Sequence, residues 1–196
     1  MKTTIFIDGC NFLSKIDDVL NPNKDRQIDF SLYNFSALLE QVLSGLKVDR
    51  KIFYIGKLLK HPETLQKSEE LIEQQRKLKL HLEEQGFEVV IAGRVRGHRE
   101  KCPQGHETLT FKEKGVDVKI SVDMLAMAFN KEVKTAIIGS SDSDLQPAIT
   151  QLKEYGTELI YLGFETSPNK GLMFTTNRSI IIRNSEVAKF SQNALL

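Results

Sequence analysis

Five short apolar runs, separated by stretches of helical length, constrain this chain more than any other feature. Thr3 to Ile7, Arg50 to Ile55, Phe87 to Ala92, Lys134 to Ile138 and Thr157 to Leu162 are rich in β-branched and aromatic residues. The first is apolar without alternation, as a strand buried on both faces of a parallel sheet must be. Helical patterns fill the intervals. They run over Asn11 to Leu20, Asp29 to about Leu46, Pro62 to Gln85, Val116 to Asn130 and about Asp144 to Tyr155. Asp29 supplies an N-cap and Gly86 a C-terminal stop. A short strand at Ser179 to Ile182 and a helical turn at Ser185 to Phe190 close the pattern. Alternation of this kind requires right-handed crossovers. The fold class it predicts is α/β, a three-layer sandwich with a mainly parallel central sheet and helices on both faces, for which strand order 3-2-1-4-5 is one arrangement.

Nothing divides the chain further. Residues 1–196 are expected to form a single domain, long enough to bury a full core. The formal net charge of +1 excludes a global polyelectrolyte, so a nucleic-acid partner must be met by a local basic patch. Two cysteines, Cys10 and Cys102, make no disulfide framework and suit a reducing compartment. Asp8 interrupts the first apolar stretch too early for a signal-peptide core, and no run is long enough to span a bilayer. The expected location is cytoplasmic, with no membrane association.

Carboxylates then fall where strands end. Asp8 closes the first run in Ile7-Asp8-Gly9-Cys10-Asn11. Asp142 and Asp144 follow the fourth in Gly139-Ser140-Ser141-Asp142-Ser143-Asp144, and Asp117 opens a helix in Lys114-Gly115-Val116-Asp117. In an open α/β sheet ligands bind beyond the carboxyl ends of the strands, where the order reverses. Order 3-2-1-4-5 makes the Asp8 and Asp142 strands neighbours at that point. Acids gathered with no base between them repel, and a divalent cation is the usual remedy. Plainer roles exist for each: Asp8 as turn former or cap, Asp117 as an N-cap, and Asp142 or Asp144 as cap of the following helix.

The segment 93–115 breaks the strand–helix rhythm. It is glycine-rich and basic, and its alternating run Glu107 to Phe111 suggests a hairpin arm. Arg94, Arg96, Arg99, Lys101, Lys112 and Lys114 outnumber Glu100, Glu107 and Glu113 there. A cationic rim entering the Asp117 helix suits the backbone of a nucleic acid. His98, Cys102 and His106 invite a zinc reading, opposed by the lack of a paired Cys-x-x-Cys knuckle. The long charged helix from Pro62 is expected to pack one side on the sheet and solvate the other. A homo-oligomer built through it is an option that no residue pattern supports.

The strings Ile7-Asp8-Gly9-x-Asn11, Lys114-Gly115-Val116-Asp117-Val118 with Val122-Asp123-Met124-Leu125, and Gly139-Ser140-Ser141-Asp142-Ser143-Asp144-Leu145 resemble the NYN domains of the bacterial LabA-like group, relatives of the PIN nucleases. The resemblance spans nearly the whole chain in the right order. Ser141 stands where the family more often has Gly, and Leu145 where it often has Phe, but both departures leave the carboxylates in place. The resemblance implies a PIN-like sandwich and cleavage of RNA dependent on Mg²⁺ or Mn²⁺. Asp8, Asp117 and Asp142 are then the first choice as metal ligands and catalytic acids, with Asp144 completing the ring directly or through water. The ion would activate a water towards a phosphodiester. Asn11 is expected to orient Asp8 or bind phosphate. Ser140 and Ser141 would fix carboxylate rotamers or bind phosphate, and Asp123 would support from its helix. RNA is the expected partner, while DNA stays open because such cleavage does not itself need a 2′-hydroxyl. The alternative is a catalytically weak RNA-binding or regulatory module that keeps the fold and the metal site. A phosphatase with Asp8 as nucleophile is disfavoured, because Cys10 stands where the haloacid-dehalogenase pattern needs a second Asp.

Overall fold

A computed structural model describes residues 1–101 and 107–191. In chain order the elements are β1 (Lys2–Asp8), α1 (Gly9–Leu20), α2 (Phe35–Val42), β2 (Arg50–Gly56), α3 (Leu65–Glu84), β3 (Glu88–Ala92), β4 (Arg94–Lys101) and β5 (Glu107–Lys114). There follow α4 (Val116–Phe129), β6 (Val133–Gly139), α5 (Gln146–Glu154), β7 (Glu158–Phe164), α6 (Lys170–Thr175), β8 (Arg178–Ile182) and α7 (Asn184–Lys189). Six strands form one sheet in order β3-β2-β1-β6-β7-β8, and every pairing in it is parallel. Counted along the central sheet alone this is 3-2-1-4-5 with a sixth strand at the edge, the α/β architecture that the apolar runs predict. β4 and β5 form a separate antiparallel hairpin.

Alternate strand residues build two cores. Ile5, Ile7, Phe53, Ile55, Ile137 and Ile160 pack with residues of α1, α2, α3 and α7 on one face. Phe6, Tyr54, Ala136, Ile138, Leu159 and Tyr161 pack with α4, α5 and α6 on the other. Helices thus cover both faces and leave the strand ends open for a site.

The helical pattern from Asp29 to Leu46 resolves into two pieces. Asp29 caps only a 3-10 turn, Phe30–Leu32, accepting hydrogen bonds from the Ser31 amide (3.0 Å) and hydroxyl (2.6 Å). The chain then extends at Tyr33, whose fully buried ring donates its hydroxyl to the Val187 carbonyl at 2.9 Å. Asn34 restarts the helix by capping Ala37. Burying the Tyr33 ring and satisfying its hydroxyl outweighs helix continuity here. The segment after Asp142 likewise begins with a 3-10 turn, Ser143–Leu145, before α5. Helix α6 has six residues, too few to display a helical period in the sequence.

Candidate active site

The register of β1 against β6 pairs Ile7 with Gly139, so Asp8 and Ser140 leave the sheet side by side. Asp8 is both a cap and a member of the site. One of its oxygens accepts from the Asn11 amide (3.1 Å) as N-cap of α1, and the other accepts from the Ser140 hydroxyl (3.2 Å). Gly9 is required beside it. A Cβ there would lie 2.5 Å from both the Phe53 ring and the Tyr54 carbonyl oxygen.

A hydrogen-bond web ties the two strand ends together. The Asn11 side-chain oxygen accepts from the Ser141 amide at 2.9 Å, and the Ser140 hydroxyl oxygen accepts from the Asp142 amide at 3.1 Å. Asp142 in turn accepts from the Asp144 amide (2.9 Å), capping the 3-10 turn. Asn169 donates its amide NH₂ to the Ser141 carbonyl (2.9 Å) and its backbone N–H to the Tyr161 hydroxyl (2.9 Å). That hydroxyl also meets the Ser141 hydroxyl at 3.0 Å. Each carboxylate-bearing loop is therefore held from its base.

The hairpin and α4 supply the third side. Gly115, at φ +90°, is the N-cap of α4, so Asp117 sits inside the first turn and does not cap by its side chain. A carboxylate there is favoured by the helix dipole. Asp8, Glu113, Asp117, Asp142 and Asp144 line one cleft of about 390 Å³, together with Lys114, Gly115, Val116 and Val118. Burial holds the Asp8 carboxyl above the usual range, the Asn11 and Ser140 bonds oppose this, and Asp142 and Asp117 add to it. Glu113 is also raised, first by burial and then by Asp8, with Asp117 contributing less. Cys10 is exposed as a residue, yet desolvation of its thiol, and then Glu113 and Asp8, push it up to about 11, so it stays protonated at neutral pH.

This donor set, all carboxylate oxygen and mutually repelling, fits a hard divalent cation. No three His, Cys, Asp or Glu side chains among the described residues form a ready-made metal cage. The fit is thus to a hydrated ion held directly by one or two carboxylates, with water reaching the rest.

The described cations of the hairpin do not share one face. Register pairs Arg94 with Lys114 and Arg96 with Lys112, and these four positions share one face of the ribbon. Arg99 stands on the opposite face and ion-pairs with Glu63 and, at 3.0 Å, with Glu107. At Lys101 only the backbone pairing with Glu107 is described. Asp123 does not line the cleft. It accepts from the Tyr54 hydroxyl at 3.2 Å and from Lys119 at 2.6 Å, which braces α4 on β2. Cys102 and His106 lie outside the described residues, and the zinc reading lies there with them.

Two residues of the site escape sequence reasoning. Glu113 reads as one acid in a basic loop, yet its carboxylate accepts from the Gly56 amide at 2.9 Å and joins the cleft. A usable signal was present: it alternates with Lys112 and Lys114, so it faces away from them. Asn169 follows Ser167-Pro168 in a segment without periodicity, and only its cap role for α6 (3.1 Å to the Leu172 amide) is a sequence-level cue.

The family model of the NYN domain matches residues 2–183. No curated protein matches the sequence. A crystal structure of a protein of unknown function from Vibrio parahaemolyticus is similar to this one, with a TM-score of 0.58 at 17% identity over 100% of this chain and 96% of that one. That likeness concerns the fold. No helix among the described residues is long and apolar enough to cross a membrane.

Proposed function

The chain belongs to the NYN domain family, a branch of the PIN-like nuclease superfamily, and from that premise we propose that it is an endoribonuclease using Mg²⁺ or Mn²⁺. The observation that carries this reading is the single cleft lined by Asp8, Glu113, Asp117, Asp142 and Asp144 beside a cationic hairpin face. Asp8, Asp117 and Asp142 would hold the ion, one or two of them directly and the rest, with Asp144 and Glu113, through water. When bound, the ion would neutralise charge at the scissile phosphate and acidify a nucleophilic water.

The protein's own groups do the positioning. Asn11 and Ser140 fix the Asp8 carboxylate, and Ser140 and Asp144 hold Asp142 through backbone bonds. Arg94, Arg96, Lys112 and Lys114 would bind flanking phosphates, Arg94 and Arg96 in bidentate fashion where geometry allows. NYN nucleases act on RNA, which favours RNA as the substrate. A second reading is a catalytically weak RNA-binding or regulatory module that keeps the fold and the metal site, since the hairpin face carrying Arg94, Arg96, Lys112 and Lys114 would bind RNA without any turnover.

The test is incubation of 5′-labelled single-stranded and hairpin RNA with Mn²⁺, with a matching DNA strand alongside. Internal cleavage by the wild type, lost in Asp142→Asn, is the expected result. Asparagine can still accept the Asp144 amide bond, so the loop is preserved. Equal cleavage by wild type and variant would end the nuclease assignment. RNA retention without cleavage by either protein would select the binding module.

A further inference from the structure

We propose that the groove between α3 and the turn at residues 27–31 is a nucleobase subsite, taking an unpaired base of the strand whose phosphate lies at the acid cleft. The inference rests on the ribonuclease reading above.

Continuity comes first. The groove encloses about 420 Å³ and shares Glu113 with the acid cleft. Its floor includes Ile55 and Gly56 at the end of β2, the strand that pairs Tyr54 with Asp8. Cys10, two residues past Asp8, lies on its wall. A strand threaded over the acids therefore reaches this groove within its own length.

The chemistry of the lining selects the occupant. Phe30, Leu71 and Leu78 supply the apolar and aromatic surface against which bases stack. Polar groups stand at the edges. The Gln75 amide NH₂ gives one N–H to the Gly56 carbonyl at 2.8 Å, which fixes the side chain and leaves its oxygen as an acceptor. The Gln74 oxygen accepts from Gln27 at 3.3 Å, which leaves its NH₂ as a donor. One donor and one acceptor beside an apolar slot match the edge of a heterocycle, which carries both. A ribose phosphate alone would leave the apolar walls unmatched. A pocket of this size is in the range of small-molecule sites. The base must be unpaired to enter, so the subsite would direct cleavage to single-stranded or looped RNA.

The test reads binding separately from cleavage. The ¹⁵N-labelled full chain, in EDTA, is titrated with each of the four nucleoside 5′-monophosphates and with ribose 5-phosphate. Amide shifts at Phe30, Ser31, Leu71 and Gln74 are expected with at least one monophosphate, and not with ribose 5-phosphate. Phe30→Ala should weaken that binding about tenfold, the scale of one lost stacking contact. Leu71→Trp should block the groove. Leu71 is 39% exposed, so this variant keeps the core even where Phe30→Ala does not fold. Absence of those shifts with all four monophosphates would overturn the subsite, as would equal shifts from ribose 5-phosphate or unchanged binding in Leu71→Trp. Groove shifts in a chain that cleaves no RNA would uphold base binding and sink the ribonuclease reading. Cleavage without groove shifts would sink the subsite alone.

Discussion

Replacing Asn11 by alanine separates the bridge between the two strand ends from the acids themselves. The Asn11 side-chain oxygen is the recorded partner of the Ser141 amide, at 2.9 Å and partly buried. Alanine leaves that N–H without its acceptor, which costs about 1–3 kcal/mol for a buried donor. Partial burial admits water and argues for the middle of the range, about 2 kcal/mol. In a domain of this size each kcal/mol moves Tm by about 2–4 °C, so the expected fall is about 4–8 °C. Thermal unfolding followed by circular dichroism in EDTA measures it without any assumption about activity. Asn11→Asp is the control. It restores an acceptor for Ser141 but adds a charge beside Asp8, so it should recover part of the loss at pH 5 and less at pH 8. An Asn11→Ala protein melting within about 1 °C of the wild type would refute the bridge, since a shift that small corresponds to under 0.5 kcal/mol. If the bridge holds, RNA cleavage should fall as well, because the Asp142 loop hangs from Ser140 and Ser141.

Stability should also depend on pH in a defined sense. Burial, then neighbouring acids, lift the Asp8 and Glu113 carboxyls, so the folded chain keeps their protons where the unfolded chain has released them. Stability therefore falls as pH rises from the ordinary carboxylate range through the raised folded-state values, and the penalty is absent below that range. Melting curves from pH 4 to 8 in EDTA should slope downward for the wild type and less steeply for Asp8→Asn; identical slopes would contradict the assignment. At the hairpin, Arg94→Ala and Arg96→Ala should each reduce the slope of log K against log salt for RNA binding by about 0.7–1. Arg99→Ala should leave the slope unchanged, because Arg99 lies on the other face and is paired with Glu63 and Glu107. Equal effects from all three would show that the ribbon does not separate its cations.

The parallel sheet was legible because its strands are buried on both faces and so are written as unbroken apolar runs, as Ile5, Phe6 and Ile7 are. The acid positions were legible for a related reason: a carboxylate directly after such a run has nowhere to sit but the sheet's edge. The breaks near Tyr33 and Asp144 were not, since a helical period continues through Tyr33, whose burial decides its backbone, and through the 3-10 turn that Asp142 caps at the Asp144 amide. Glu113 was hidden by composition. Among six cations it counts as a minority charge, and its alternation with Lys112 and Lys114 places it on the opposite face only once the segment is taken as a strand. The groove could not be read at all, because its walls come from α3, the turn at residues 27–31 and the hairpin base, joined only by packing.

The β4–β5 register makes the hairpin the element that decides what the acid cleft can accept. Alternation along β5 sends Lys112 and Lys114 to one side and Glu113 to the other. A slip of one residue would exchange them, turning the glutamate out to the phosphate-binding face and away from the Gly56 amide that holds it. Several contacts fix the pairing against that slip. Gly93, at φ +61°, lies so close to β5 that a Cβ there would stand 2.2 Å from the Lys114 carbonyl oxygen. Val95 donates its amide to the Lys57 carbonyl at 3.0 Å, which anchors β4 to the chain just past β2. Gly56 admits the Glu113 carboxylate where any Cβ would meet its oxygen at 2.2 Å, and its amide then binds that oxygen. Glycines at 56 and 93 therefore do for the inserted hairpin what Gly9 does for β1. Each removes a side chain so that a carboxylate, or the strand that carries one, can approach the end of the sheet.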